Sequence, residues 1–101
     1  MKSKSSLFPI SVQHVSDLCK QYDIAFLGVF GSYGRGDFDK ESDIDLLVRF
    51  SKQKSLLDLV RIERVFTIRL GRTVDLVTEA SISPYLKDRI KNEVQPIYEA
   101  T

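Results

Sequence analysis

Residues 24–50 read IAFLGVFGSYGRGDFDKESDIDLLVRF, and this stretch decides the fold. It opens with a continuous apolar run over residues 24–30, which is typical of an inner strand that is covered on both faces. Glycines 31, 34 and 36 then interrupt the run, and residues 37–42 form a polar loop. A second strand is predicted over residues 44–50. The pattern therefore predicts two strands whose connection begins with a turn opening onto a short helix.

The rest of the chain supplies helices around these strands. Apolar spacing and capping signals predict helices at about residues 9–22 and 55–70, a strand over residues 72–78, a final helix from Ser83-Pro84 to Pro96, and a short edge strand at Ile97 and Tyr98. This order predicts an α/β (α+β) fold with a small mixed β-sheet of three to four strands and helices packed on it. Residues 1–8 are expected to be a flexible N-terminus, and residues 9–101 a single domain.

Composition sets limits on the function. The chain has 101 residues, and its 15 Lys and Arg nearly balance its 14 Asp and Glu, for a formal charge of +1. This balance gives no electrostatic footprint for nucleic acid or an anionic membrane. No apolar run approaches the ~20 residues that span a bilayer, so the cytoplasm is the expected compartment. The single cysteine, Cys19, is predicted to be a core residue, because it lies on the apolar face of the first helix.

The helix over residues 55–70 is apolar over more of its surface than one small sheet needs. Two interpretations stay open at this point. Part of the apolar surface meets a partner, or all of it faces the core.

The glycine-rich turn is the first of three features that carry chemistry. A turn that opens onto a helix leaves backbone N–H groups free and lets a phosphate come close, and the Ser32 hydroxyl can add a hydrogen bond. The spacing is neither that of a P-loop nor that of a dinucleotide-binding turn. Taken alone, the turn is also compatible with an ordinary strand-to-helix connection.

Acidic residues supply the other two features. Asp43 and Asp45 share one face of a strand because side chains at i and i+2 point the same way. Asp75 lies inside the apolar stretch Val74–Val77, where a lone acid is costly unless it is paired with Arg49 or Arg72 or holds a metal. If the two strands are neighbours, three carboxylates can hold two Mg²⁺ or Mn²⁺ ions. That arrangement is typical of phosphoryl or nucleotidyl transfer.

At this point the residues resemble a known family. Gly31-Ser32, Arg35-Gly36 and Ser42-Asp43-Ile44-Asp45-Leu46-Leu47-Val48 are similar to the G-S-x-x-R-G…S-D-x-D-[LIV]-[LIV]-V pattern of the polymerase beta-type nucleotidyltransferases. Asp75 stands where that family has its third carboxylate. The length resembles the minimal nucleotidyltransferase (MNT) branch, and the resemblance covers about residues 9–99.

The resemblance implies a set of site residues. Nucleotide binding would fall to Gly31, Ser32, Arg35 and Ser42, with Arg35 either touching phosphate or bracing the turn. Asp43 and Asp45 would ligate two Mg²⁺ ions, with Mn²⁺ as an alternative. Asp75 would hold the catalytic ion and help to activate the acceptor hydroxyl.

The resemblance also implies a partner. MNT proteins are commonly paired, as antitoxins, with a HEPN-domain ribonuclease toxin. The implied reaction transfers AMP from ATP to a tyrosine of that toxin and so neutralises it. A chain of this size has little surface with which to recognise an acceptor, so a protein partner would bring one.

Three other functions remain as alternatives. The chain could be a non-catalytic antitoxin that blocks its partner by complex formation. It could adenylylate a small molecule, although relatives of that type usually carry a further helical domain. A polymerase role is disfavoured, because a basic surface to follow a template is lacking.

Overall fold

The computed structural model describes residues 12–36 and 42–100. The expected flexible segment over residues 1–8 and most of the polar loop over residues 37–42 lie outside the described residues.

The described chain forms a four-stranded sheet with helices on both faces. In chain order its elements are α1 (Val12–Gln21), β1 (Ile24–Phe30), α2 (Gly31–Arg35), β2 (Ile44–Phe50), α3 (Leu56–Leu70), β3 (Val74–Thr78), a 3-10 turn (Glu79–Ser81), α4 (Pro84–Glu93) and β4 (Gln95–Glu99). The strand order is β3-β2-β1-β4. Strand β1 is antiparallel to β2 and β4, whereas β2 and β3 are parallel. The predicted fold class, a small mixed sheet covered by helices, is confirmed, and the predicted edge strand is β4.

Alternation along the strands divides the core into two parts. On one face of the sheet, α1 and α3 pack against Ile44, Leu46 and Val48 of β2. On the other face, Leu47 packs with Phe30, Ile82 and Ile90, so α4 covers this side. Asp45, which alternates with the apolar residues of β2, therefore belongs to the α4 side.

Local signals explain most helix ends. Ser55 caps α3 in a capping box with Asp58, and Gly71 ends the helix in the left-handed region at φ 71°. Ser83 caps α4, but that helix ends at Glu93 rather than at Pro96. Pro96 instead lies within the edge strand β4, where a residue without an N–H is tolerated. The prediction that Pro96 ends the helix was therefore three residues too late.

Side chains of α3 cover the outer edge of β3. The Val74 N–H donates to Thr67 Oγ1 at 3.0 Å, and the Leu76 N–H donates to Glu63 Oε2 at 2.9 Å. These bonds satisfy backbone groups that an edge strand would otherwise expose. They also fix the backbone on both sides of Asp75.

The wide apolar surface of α3 is only partly buried. Ile62 and Phe66 are buried, while Leu56, Leu57, Val60 and Ile68 are between 53% and 78% exposed. The interpretation that the whole apolar surface faces the core is therefore wrong. None of the described helices combines the length and apolarity needed to cross a membrane.

Cys19 is fully buried, as predicted from its place in α1. Burial, with a smaller contribution from the negative charge of Asp17, raises the pKa of the Cys19 thiol to about 12. Because the thiolate is the reactive form, we expect a thiol-disulfide reagent at pH 8 to modify the folded protein roughly 100-fold or more slowly than the unfolded protein. The measurement compares native and denatured samples. Equal rates would show that the thiol is accessible.

Candidate active site

The pairing of β2 with β3 brings the acidic residues together. Asp45 lies directly beside Asp75 in the parallel ladder, so both side chains project from the same face of the sheet. Asp43 stands directly before β2, two residues ahead of Asp45, and is close enough for its negative charge to act on the Asp45 carboxyl. On the other side of β2, Asp45 pairs with Phe30, the residue before the glycine-rich turn. The three predicted carboxylates and the turn therefore meet at one end of the sheet.

Asp45 is the electrostatic centre of this group. Burial is the largest cause of its raised pKa, and the negative charges of Asp75 and Asp43 raise it further. Arg35 opposes these effects, whereas Glu93 adds to them. A carboxyl group whose pKa rises on folding favours the folded state at low pH and loses that contribution as the pH increases. At neutral pH, ionised Asp45 therefore opposes folding unless a cation compensates it.

The donors fit a hard divalent cation. The carboxylates of Asp45 and Asp75 on adjacent strands, with Asp43 directly before β2, offer the oxygen ligands that Mg²⁺ and Mn²⁺ prefer. Within residues 12–36 and 42–100, no three acidic, histidine or cysteine side chains already enclose a single metal position. Asp43 and Asp75 are exposed, so mutual repulsion can turn them outward. A cation would have to draw the three carboxylates together.

The glycine-rich turn forms the short helix α2, as predicted. Gly31 adopts a φ of 69°, which side chains rarely tolerate, and a Cβ at this position would collide with the Asp45 carboxylate. Gly34 serves the packing of the protein itself, because a Cβ there would lie 2.9 Å from the Val29 carbonyl oxygen and 3.0 Å from that of Glu93. Ser32 is half-buried between these two glycines. The turn and Asp45 are thus in direct contact.

Arg35 and Ser42 complete the predicted nucleotide set. The guanidinium of Arg35 lies 3.4 Å from the Glu93 carboxylate, which agrees with a role in bracing the turn. Ser42 is half-buried and stands directly before Asp43. Both residues therefore border the carboxylates.

Glu93 is the site residue that the sequence reasoning missed. Its Oε1 accepts a hydrogen bond from the Gly31 N–H at 3.2 Å, across 62 residues of chain. One signal was available: Glu93 is the last residue of α4, where the helix dipole disfavours a negative charge. An acid at that position requires compensation from elsewhere in the fold.

Comparison with known families agrees with this geometry. Residues 12–97 match the family model of the nucleotidyltransferase domain. The chain therefore belongs to the nucleotidyltransferase domain family, and the predicted enzyme class is confirmed. Proteins similar to this chain are named as protein adenylyltransferases, which is a narrower class of nucleotidyltransferase. Protein adenylyltransferase MntA of Thermococcus cleftensis is 35% identical over 85 residues, covering 84% of this chain and 86% of its own.

A second relative is named as a candidate protein adenylyltransferase, MJ0435 of Methanocaldococcus jannaschii. It is 43% identical over 90 residues, which cover 89% of this chain and 88% of that protein. The predicted resemblance to this type of nucleotidyltransferase is thus confirmed.

Solved structures show the same fold at low identity. A toxin–antitoxin complex with AMP-PNP contains a chain with a TM-score of 0.77 and 20% identity, covering 91% of this chain and 76% of that one. A chain from the complex of a tri-AMPylated Shewanella oneidensis HEPN toxin with its MNT antitoxin gives a TM-score of 0.68 at 19% identity, covering 88% and 70%.

The contact between Gly31 and Asp45 can be tested against a glycine of the same conformation. Gly31 and Gly71 have φ values of 69° and 71°, but only a Cβ on Gly31 would meet another residue. We expect Gly31→Ala and Gly71→Ala each to cost about 1–2 kcal/mol of stability. Only Gly31→Ala should also weaken Mn²⁺ binding, because it displaces Asp45. Thermal unfolding and Mn²⁺ titration measure the two effects, and equal Mn²⁺ binding by both variants would contradict the assignment.

The repulsion between Asp45 and Asp75 can be tested by thermal unfolding. Without divalent cations, Asp75→Asn should raise the Tm by about 2–4 °C, because one like charge is removed. Millimolar Mg²⁺ should raise the Tm of the unchanged protein and have a smaller effect on the variant. Asp88→Asn, on the exposed surface of α4, serves as the control. A Tm that falls in Asp75→Asn would contradict the repulsion between the two carboxylates. A Tm that Mg²⁺ leaves unchanged in both proteins would show that the carboxylates do not form a cation site.

Proposed function

We propose that this chain is a Mg²⁺-dependent adenylyltransferase antitoxin that transfers AMP from ATP to a tyrosine hydroxyl of a HEPN ribonuclease toxin. The observation that carries the proposal is the placement of Asp45 beside Asp75, with the charge of Asp43 acting on Asp45 and Gly31 of the glycine-rich turn in contact with Asp45. Relatives named as protein adenylyltransferases support the reaction. The AMP-PNP and HEPN–MNT complexes support the nucleotide and the partner.

The carboxylate arrangement supports the following reaction. The tyrosine oxygen attacks the α-phosphorus of ATP, the bond to the β-phosphate bridging oxygen breaks, and pyrophosphate leaves. Asp43 and Asp45 would hold two Mg²⁺ ions and Asp75 would hold one of them. When bound, these ions stabilise the charge that develops on the attacking and leaving oxygens.

The protein's own groups would position the reactants. Ser32, in the first turn of α2, would donate its hydroxyl to the terminal phosphates. The backbone N–H groups that follow Gly31 would be oriented toward the same anion, since the Gly31 N–H already donates to Glu93. Asp75 is exposed at the surface, so its carboxylate can receive the proton of an acceptor that arrives from outside. No covalent intermediate with the protein is needed, because catalysis depends on position and charge.

The acceptor would come from the partner protein. Asp43 and Asp75 are exposed, so the site is open to a protein surface rather than enclosed around a small molecule. This geometry favours the protein acceptor over the small-molecule alternative.

A non-catalytic antitoxin remains the second candidate because α3 exposes apolar side chains. Leu56, Leu57, Val60 and Ile68 lie on the helix that covers the face of the sheet opposite to Asp45. A partner that docks only on this helix would leave the carboxylates uncovered. The two functions therefore predict effects at different surfaces.

Co-expression with a HEPN-domain protein encoded beside this chain tests the proposal. Intact-mass analysis should show that the toxin gains one or more AMP groups when the antitoxin is unchanged. The Asp43→Ala, Asp45→Ala double variant should give no mass gain and fail to neutralise the toxin while still binding it. We expect the loss of transfer to exceed roughly 10³-fold, since removal of the metal ligands removes the main stabilisation of the transition state.

A surface variant separates the alternatives. Leu57→Ser with Ile68→Ser changes α3 and leaves the carboxylates intact, so AMP transfer in excess toxin should be retained. Full neutralisation by the aspartate double variant, together with failure of the α3 variant to neutralise, would establish the non-catalytic function instead.

A further inference from the structure

Glu93 connects α4 to the glycine-rich turn through its carboxylate. Its Oε1 accepts from the Gly31 N–H at 3.2 Å and lies 3.4 Å from Nη1 of Arg35, while its Oε2 lies 3.9 Å from Nε of Arg89. The Glu93 side chain is only 18% exposed. A carboxylate so poorly hydrated is stable only with such donors around it.

The backbone that carries Glu93 is fixed by packing against two glycines. A Cβ on Gly28 would come within 2.6 Å of Val94 Cγ2, and one on Gly34 within 3.0 Å of the Glu93 carbonyl oxygen. The Val94 N–H donates to the Ile90 carbonyl at 2.9 Å, so α4 remains regular to its end. The end of α4 therefore lies tightly against β1 and α2, and the position of the Glu93 carboxylate follows from it.

The two partners of Oε1 are the first and last residues of α2. Gly31 contacts the Asp45 carboxylate, and the charge of Arg35 acts on Asp45 as well. A displacement of Gly31 would thus move the wall against which Asp45 rests. We propose that Glu93 is a positioning residue for nucleotidyl transfer, which holds Gly31 and Arg35 so that the turn and Asp45 keep their relative places. This inference rests on the proposed function.

A competing role predicts the opposite effect. If the carboxylate occupied the Gly31 N–H only until a phosphate displaced it, Glu93 would inhibit nucleotide binding. Its low exposure and its additional contacts with Arg35 and Arg89 favour a permanent bond. A displaced carboxylate would also remain close to Asp45 and to the incoming phosphates, and this repulsion opposes its release.

Two conservative substitutions separate the length of the Glu93 side chain from its charge. Glu93→Gln keeps an oxygen that can accept from the Gly31 N–H, whereas Glu93→Asp keeps the charge on a side chain one methylene too short to reach it. We expect kcat to fall roughly 10–100-fold in Glu93→Asp with a smaller change in KM, because the reacting groups are misplaced. Glu93→Gln should retain kcat within about fivefold. Asp88→Asn, on the exposed surface of the same helix, is the matched control and should resemble the unchanged protein.

Amide hydrogen exchange of Gly31 and affinity for Mg²⁺–AMP-PNP provide readouts that need no acceptor. Exchange of the Gly31 amide should quicken in Glu93→Asp and stay slow in Glu93→Gln, and AMP-PNP should bind no more tightly to either variant. Tighter AMP-PNP binding to Glu93→Asp, or equal impairment of both variants, would overturn the inference. If the unchanged protein transfers no AMP to any protein, the proposed function fails, while the exchange and affinity measurements still decide the role of Glu93.

Discussion

The side-by-side placement of two negative charges on a parallel strand pair is the constraint on which the rest of the structure depends. Asp45 and Asp75 occupy the same register position, and burial together with the negative charge of Asp75 raises the pKa of the Asp45 carboxyl. A protein selected only for stability would avoid this pair, because like charges on neighbouring strands repel. Its presence means that the folded state contains an unfavourable interaction, which a bound cation would relieve.

The surrounding elements hold this unfavourable arrangement in place by bonding to the backbone rather than to the carboxylates. Thr67 and Glu63 of α3 accept from the N–H groups on either side of Asp75, and Glu93 of α4 accepts from Gly31 beside Asp45. In each case a helix side chain fixes a backbone group next to a functional residue. The carboxylate oxygens of Asp45 and Asp75 are therefore not needed as hydrogen-bond acceptors that hold the strands in place. This arrangement is expected where the backbone of a site must be fixed while its carboxylates stay available to bind a cation.

The sequence predicted the bounds of the strands better than their pairing and register. The bounds of β1 and β2 agree with the prediction because each is a short apolar or alternating run between polar or glycine-rich segments. The period of a strand predicted that Asp43 and Asp45 share a face, whereas β2 begins only at Ile44, after Asp43. The placement of Asp75 beside Asp45 depends on the parallel register between β2 and β3. The sequence did not predict that register, so the meeting of the carboxylates could be stated only on the condition that the two strands are neighbours. The end of α4 was misplaced because Pro96 is tolerated in an edge strand.

Glu93 shows why the remainder of the site could not be predicted. Its contact with Gly31 joins residues 62 positions apart, and no local pattern encodes that distance. What decides it is the absence of two side chains: Gly28 and Gly34 leave the space that Val94 and the Glu93 backbone occupy. In the sequence these glycines look like a weak point in a strand and a turn residue. Only their common neighbour at the end of α4 shows that both bring an acidic helix terminus against the glycine-rich turn. Residue types therefore sufficed to predict the family and the candidate carboxylates. The packing that positions them could not be predicted, because it depends on two positions that lack a side chain.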